Sequence, residues 1–201
     1  MLKTAYCVLT NATFLPELDG DVIGVDKGAL ICLKKGIPMK MALGDFDSVT
    51  SEEKQLLTQS CEAMTVLNPR KDVSDSEAAV LWAKEKGYER IVLVTSMSGR
   101  FDHSVVNYRL VANYGCELVD EQNHIFLIQK GHTEIEEQNY RYVSFFAVEK
   151  ATVTLQGFSY DLNEYVLDCK DVLCLSNEIL NKKGTVITTG QLWCIQSNDR
   201  N

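Results

Sequence analysis

From residue 1 to about residue 130, short apolar runs alternate with amphipathic stretches, and no other feature narrows the possible folds so far. That alternation is the pattern of a mostly parallel sheet flanked by helices. Strands are expected near Ala5 to Thr10, Val22 to Val25, Met41 to Leu43, Ala63 to Leu67, Ile91 to Thr95 and Ile125 to Ile128, with helices filling the gaps. The clearest helix runs from about Asp75 to Lys86. Ser74 and Glu77 open it as a capping box, Ala78, Leu81 and Trp82 form its apolar side, and Gly87 closes it. A second helix, about Asp102 to Tyr114, turns Val105, Val106 and Leu110 inward and stops at Gly115.

After about Gly131 the texture changes. Tyr142 to Val148, Ala151 to Gln156, Val172 to Leu175, Thr185 to Thr188 and Leu192 to Gln196 are short and β-branched or aromatic, with turn signals such as Gln156-Gly157 and Lys183-Gly184 between them. No helical pattern intervenes, so an all-β second domain is expected over 131–201 behind an α/β domain over 1–130.

Charge excludes one large class of function. Lys and Arg number 20 against 28 Asp and Glu, a net charge of -8. No basic run offsets this, so nucleic acid is not an expected partner. No segment reaches the length of a membrane span, and MLKTAYCVLT lacks the long apolar core and cleavage site of a signal peptide. The 7 cysteines contain no C-x-x-C pair, and several lie in strand-like runs. Reduced, buried thiols in a cytoplasmic protein are the expectation.

Polar clusters stand where loops should follow strands: Asp26-Lys27-Gly28-Ala29, Gly44-Asp45-Phe46-Asp47-Ser48, Lys71-Asp72-Val73-Ser74-Asp75 and Ser98-Gly99-Arg100-Phe101-Asp102-His103. In open α/β sheets the ligand crevice lies at the carboxyl ends of strands. If the segment is extended, Asp45 and Asp47 project to one side with Phe46 behind them. Such a pair, with Asp72, suits Mg²⁺, which takes oxygen ligands and keeps substrate phosphates. The competing reading has Asp47 and Ser48 capping the next helix, and Asp75 capping its own. Arg100 beside Gly99 offers a bidentate grip on phosphate. His103 is read either as a base or phosphate contact, or as a structural partner of its neighbouring Asp. The P-loop, dinucleotide and nucleophile-elbow motifs are absent.

Val25-Asp26-x-Gly28-Ala29, Leu43-Gly44-Asp45-Phe46-Asp47-Ser48, Lys71-Asp72-x-x-Asp75-x-Glu77 and Gly99-Arg100-Phe101-Asp102-His103 together resemble thiamine pyrophosphokinase, and Leu175-Ser176-Asn177-Glu178 resembles its thiamine-side motif. The resemblance spans nearly the whole chain, with Lys27, Ser98 and Ile179 departing from the family's usual residues. It implies a Rossmann-like α/β catalytic domain binding ATP and Mg²⁺, a C-terminal β-sandwich, a homodimer, and transfer of the diphosphate of ATP to the hydroxyl of thiamine with release of AMP. Carried onto this chain, it makes Asp45, Asp47 and Asp72 metal ligands, with Asp26 and Asp75 behind them, Ser48 among the cofactor-binding residues, and Asp72 catalytic together with Arg100 and Asp102. Lys71, Arg100 and His103 then meet phosphates, Asp102 orients the attacking hydroxyl, and Ser176 and Asn177 meet thiamine. Two other readings compete. Asp45-Phe46-Asp47-Ser48-Val49 imitates the nucleophile loop of haloacid-dehalogenase-like phosphatases, and the same fold can serve as a nucleotide-binding regulatory module without turnover.

Overall fold

The computed structural model describes residues 2–47, 49–68 and 72–199. Two compact units divide the chain, Met1–Glu121 and Gln122–Asn201.

The first unit holds β1 (Thr4–Val8), β2 (Asp21–Val25), α1 (Lys27–Lys34), β3 (Met41–Gly44), α2 (Ser51–Ser60), β4 (Met64–Val66), α3 (Asp75–Glu85), β5 (Arg90–Val94), α4 (Phe101–Tyr114) and β6 (Glu117–Val119). Its strands lie side by side in the order β4-β3-β2-β1-β5-β6, each pair parallel. Every residue of β1 is buried, as expected of a strand covered on both faces. The order reverses between β1 and β5, which makes the carboxyl ends of these strands a topological switch point. Tyr6, Val8, Val22, Leu30, Phe46 and Val92 are among the residues of one core cluster in this unit. Gly28 lets α1 start directly against β1, because a Cβ there would run into the Val8 carbonyl carbon at 2.7 Å.

Several expectations are corrected here. In α3 the buried residues are Ala79, Val80 and Ala83, while Leu81 is 40% exposed, so the inward face is rotated from the one read in the sequence. In α4 the buried residues are Asn107, Leu110 and Val111, with Val106 turned outward. The Ser74 hydroxyl accepts the Glu77 amide at 3.1 Å, but Glu77 sends its carboxylate to the Tyr114 hydroxyl at 2.6 Å. The reciprocal capping box belongs to α2, between Thr50 and Glu53. The short strand β6 had no distinct signal.

The second unit consists of β7 (Asn123–Ile128), β8 (Gly131–Glu136), β9 (Tyr142–Ala147), β10 (Ala151–Gln156), β11 (Leu162–Leu167), β12 (Lys183–Thr188) and β13 (Leu192–Ser197). β13 pairs antiparallel with β7 and β9, and a second antiparallel sheet has the order β11-β10-β12-β8. Both contribute to a core of Phe145, Val153, Leu155, Phe158, Leu167 and Val186 among others, with Phe145 and Phe158 edge to face at 5.4 Å. In chain order, an α/β unit is followed by a β-sandwich. Val172 to Leu175 is not a strand. Val172 and Leu173 are 73% and 56% exposed, and an Asp168–Asp171 turn holds the chain just before them. β11 escaped notice because its middle residues are exposed and do not alternate.

All 7 cysteines are free, and 5 of them, Cys7, Cys32, Cys116, Cys174 and Cys194, are buried. Burial pushes the Cys32 and Cys116 thiols up to about 12. Among the described residues, no helix is long and apolar enough to cross a membrane.

Candidate active site

Asp26 follows β2 directly, with its backbone at φ 50° and its amide donating to the Leu43 carbonyl at 3.0 Å. This contact draws it against the end of β3. There Gly44 leaves no room for a side chain, since a Cβ would lie 2.8 Å from Asp26 Cγ. Asp26 Oδ1 is buried without a hydrogen-bond partner. Phe46 is 2% exposed and also has φ 50°, so the chain turns sharply after β3. Asp45 Oδ1 accepts the Asp47 amide at 3.1 Å. The extended Asp-x-Asp geometry is therefore replaced by a side-chain turn, with Asp45 half-buried and Asp47 exposed. Neither Asp47 nor Asp75 caps a helix: the caps are Thr50 and Ser74, and Asp75 is the first residue of α3.

Burial, followed by the nearby Asp75 and Asp45 carboxylates, raises the Asp26 carboxyl to about 7. Negative charge from Asp75 and Asp45 thus crowds Asp26 and favours its protonated form. A divalent cation relieves such crowding, and the unpartnered Oδ1 is the kind of atom that coordination satisfies. Asp72 is exposed in the turn ahead of α3. Ser48 and Lys71 lie outside the described residues. Among the described residues, no three Asp, Glu, His or Cys side chains converge closely enough to form a ready-made ion site.

Across the switch point, Gly99 (φ 109°) leads into α4. Arg100 grips Asp102 with Nε to Oδ1 at 3.1 Å and Nη2 to Oδ2 at 2.5 Å, and the His103 amide also donates to Oδ1 at 3.0 Å. The guanidinium holds the Asp102 carboxyl down at about 2. Arg100 is 71% exposed, so its remaining N–H groups are open to an arriving anion.

These segments border a cleft of about 250 Å³, lined by Asp26, Asp75, Asp102, His103 and Asn107 together with Leu9, Thr10 and Asn11. A hollow of about 440 Å³ shares Thr10, Asn11 and His103 with it and is also lined by Gly99 and Arg100. Thr10, Asn11 and Asn107 were missed in the sequence. The first two come just after β1, past Leu9, which is the switch-point position, and that placement was the available signal.

In the second unit, the exposed Ser176 has φ 56° and its amide donates to Ser144 Oγ at 2.9 Å. Asn177 is 2% exposed. Its Oδ1 accepts from the amides of Tyr160 and Glu178, each at 3.0 Å, and its Nδ2 donates to the Tyr160 carbonyl at 2.8 Å. The Asn177 amide is thereby committed to the backbone around it.

Residues 20–127 match the family model of the thiamin pyrophosphokinase catalytic domain, and residues 132–193 match that of the thiamin pyrophosphokinase vitamin B1 binding domain. The thiamine pyrophosphokinase of Bacillus subtilis (strain 168) is 37% identical over 200 residues, covering 92% of this chain and 94% of that protein. A crystal structure of the thiamine pyrophosphokinase from Bacillus subtilis superposes with a TM-score of 0.86 at 31% identity, over 98% of this chain and 100% of the other. That of Geobacillus thermodenitrificans also gives 0.86 at 31% identity, over 98% and 99%.

Proposed function

Because this chain belongs to the thiamin pyrophosphokinase family, whose enzymes transfer the diphosphate of ATP to thiamine, we propose that the transfer takes place at the switch-point cleft and uses Mg²⁺. Asp45, Asp47 and Asp72 hold the metal, with Asp26 and Asp75 supporting them. The observation that carries this reading is the buried, unpartnered Asp26 Oδ1, whose carboxyl feels the charges of Asp75 and Asp45. When bound, Mg²⁺ supplies neutralising charge to the polyphosphate.

The remaining work falls to the chain. The acceptor oxygen of thiamine forms a bond to the β-phosphorus of ATP as the bond from that phosphorus to the α-phosphate bridging oxygen breaks; AMP departs with the bridging oxygen, and the proton of the thiamine hydroxyl is released to water. Arg100 and Lys71 bind the phosphates and balance the charge of the departing AMP. His103 adds a contact at the helix start. Asp102, held ionised by Arg100, accepts the hydrogen bond of the thiamine hydroxyl and aims it. Its depressed pKa makes it an orienting group and a poor base.

From the β-rich unit, Ser176 serves thiamine directly and Asn177 fixes the loop that presents it. The enzyme works as a homodimer in the cytoplasm. Val172, Leu173, Leu175 and Leu180, each more than 45% exposed, support the first statement as a surface for a second copy, and the free thiols support the second. Incubation with ATP, Mg²⁺ and thiamine is expected to release AMP and thiamine diphosphate. ADP as the product, or AMP release that does not depend on thiamine, would overturn the reading.

A further inference from the structure

We infer that Asn107 is a substrate-binding residue, its amide hydrogen-bonding a hydroxyl group of a bound substrate at the floor of the switch-point cleft. The inference rests on diphosphate transfer from ATP to thiamine and adds a contact to it. Asn107 lies one helical turn past His103, on the same face of α4. It is 6% exposed and lines the cleft. Among the described residues its side chain has no hydrogen-bond partner, whereas the other two buried amides among them are engaged: Asn177 uses both ends of its side chain on the backbone of Tyr160, and Gln196 donates to the Glu136 carbonyl. An unmatched amide inside a folded protein is costly unless something arrives to match it. Its polar end is open to the cleft, for Asp26 Oδ1 is the only fully enclosed unpartnered side-chain atom among the described residues.

The chemistry of the cleft narrows the ligand group. Asp26, Asp75 and Asp102 line the same cleft with carboxyl groups, which disfavour a bare phosphate oxygen there. An amide donates and accepts, and so does a hydroxyl, which can also donate to a neighbouring carboxylate. Two hydroxyl sources are present in the reaction, the ribose of ATP and the primary alcohol of thiamine. A polar residue on the buried face of a helix is otherwise a defect, which is why apolar periodicity passed over it.

The test is Asn107→Leu, nearly isosteric and apolar, with Asn107→Ala as a second variant. If the amide awaits a ligand, the melting temperature of the substrate-free protein stays level or rises in Asn107→Leu, while kcat/KM falls about 10-fold or more. Native enzyme assayed with 2′-deoxy- and 3′-deoxy-ATP separates the sources. A ribose contact makes one analogue as poor for native enzyme as ATP is for the variant, with no further loss when the two changes are combined. A thiamine contact leaves KM for ATP unchanged and lowers kcat/KM for thiamine at saturating ATP. Lowered melting temperature in both variants with unchanged kinetics, or native kinetics and stability throughout, overturns the inference. Native enzyme that forms no AMP would instead refute the reaction on which the inference rests.

Discussion

The Asp26 carboxyl occupies the space that a side chain on residue 44 would need: a Cβ there would lie 2.8 Å from Asp26 Cγ and 3.0 Å from its amide nitrogen. Two βα units are locked together by this contact, and one of the site carboxylates is aimed by it.

Gly44→Ala is therefore expected to displace Asp26 instead of being absorbed by a flexible neighbour. A destabilisation of about 1–3 kcal/mol is expected, as for overpacking, with a large loss of AMP formation. Urea unfolding alongside a turnover assay checks both. Full activity in Gly44→Ala would mean that Asp26 can move without consequence.

Stability of the metal-free protein should fall as pH rises from about 4 to about 7. The Asp26 carboxyl is raised to about 7 in the fold, first by burial and then by Asp75, so the folded state binds more protons than the unfolded state across that window. The loss is complete above the folded value. It amounts to roughly 1–2 kcal/mol once solvent screening of a half-buried group is allowed for. Calorimetry in EDTA at pH 5 and pH 8, native against Asp26→Asn, isolates the effect: the native-minus-variant difference should shift against the native protein at pH 8. Mg²⁺ should restore the native protein at pH 8 and leave Asp26→Asn nearly unmoved.

Asp47→Asn keeps the size of an exposed side chain and removes only its charge. Transfer should drop by about 100-fold or more, as expected for loss of a metal ligand or its close partner, with the melting temperature within a degree or so of native. Unchanged turnover at limiting Mg²⁺ would remove Asp47 from the metal site.

Asn177→Ala is expected to act on stability before it acts on affinity. The substitution strands the Tyr160 amide and carbonyl that Asn177 engages, a cost of about 2–4 kcal/mol. A lowered unfolding midpoint should accompany any rise in KM for thiamine. A changed KM with an unshifted midpoint would instead make Asn177 a direct ligand contact.

The parallel sheet was legible because buried strands such as β1 are written as continuous apolar runs, and the acidic loops because polar clusters follow them. The turn at Phe46 was not. A phenylalanine between two aspartates reads as an extended residue, whereas its ring is buried and its backbone takes φ 50° within the turn that Asp45 closes on the Asp47 amide. The inward faces of α3 and α4 were misjudged for a related reason. Ala79, Ala83 and Asn107 are weak or negative signals of burial, whereas Leu81 and Val106 are strong ones that the fold leaves at the surface. β11 gave no alternation because its residues are mostly exposed, and the exposed Val172 and Leu173 imitated a strand.

β4 is only 3 residues long, mostly exposed, and stands outermost beside β3. Asp45 and Asp47 follow β3, so the acidic side of the cleft is anchored near the most easily frayed margin of the sheet. Gentle denaturant should therefore silence this enzyme while most of its backbone amides are still protected from exchange, with inactivation and global unfolding appearing as two separate events.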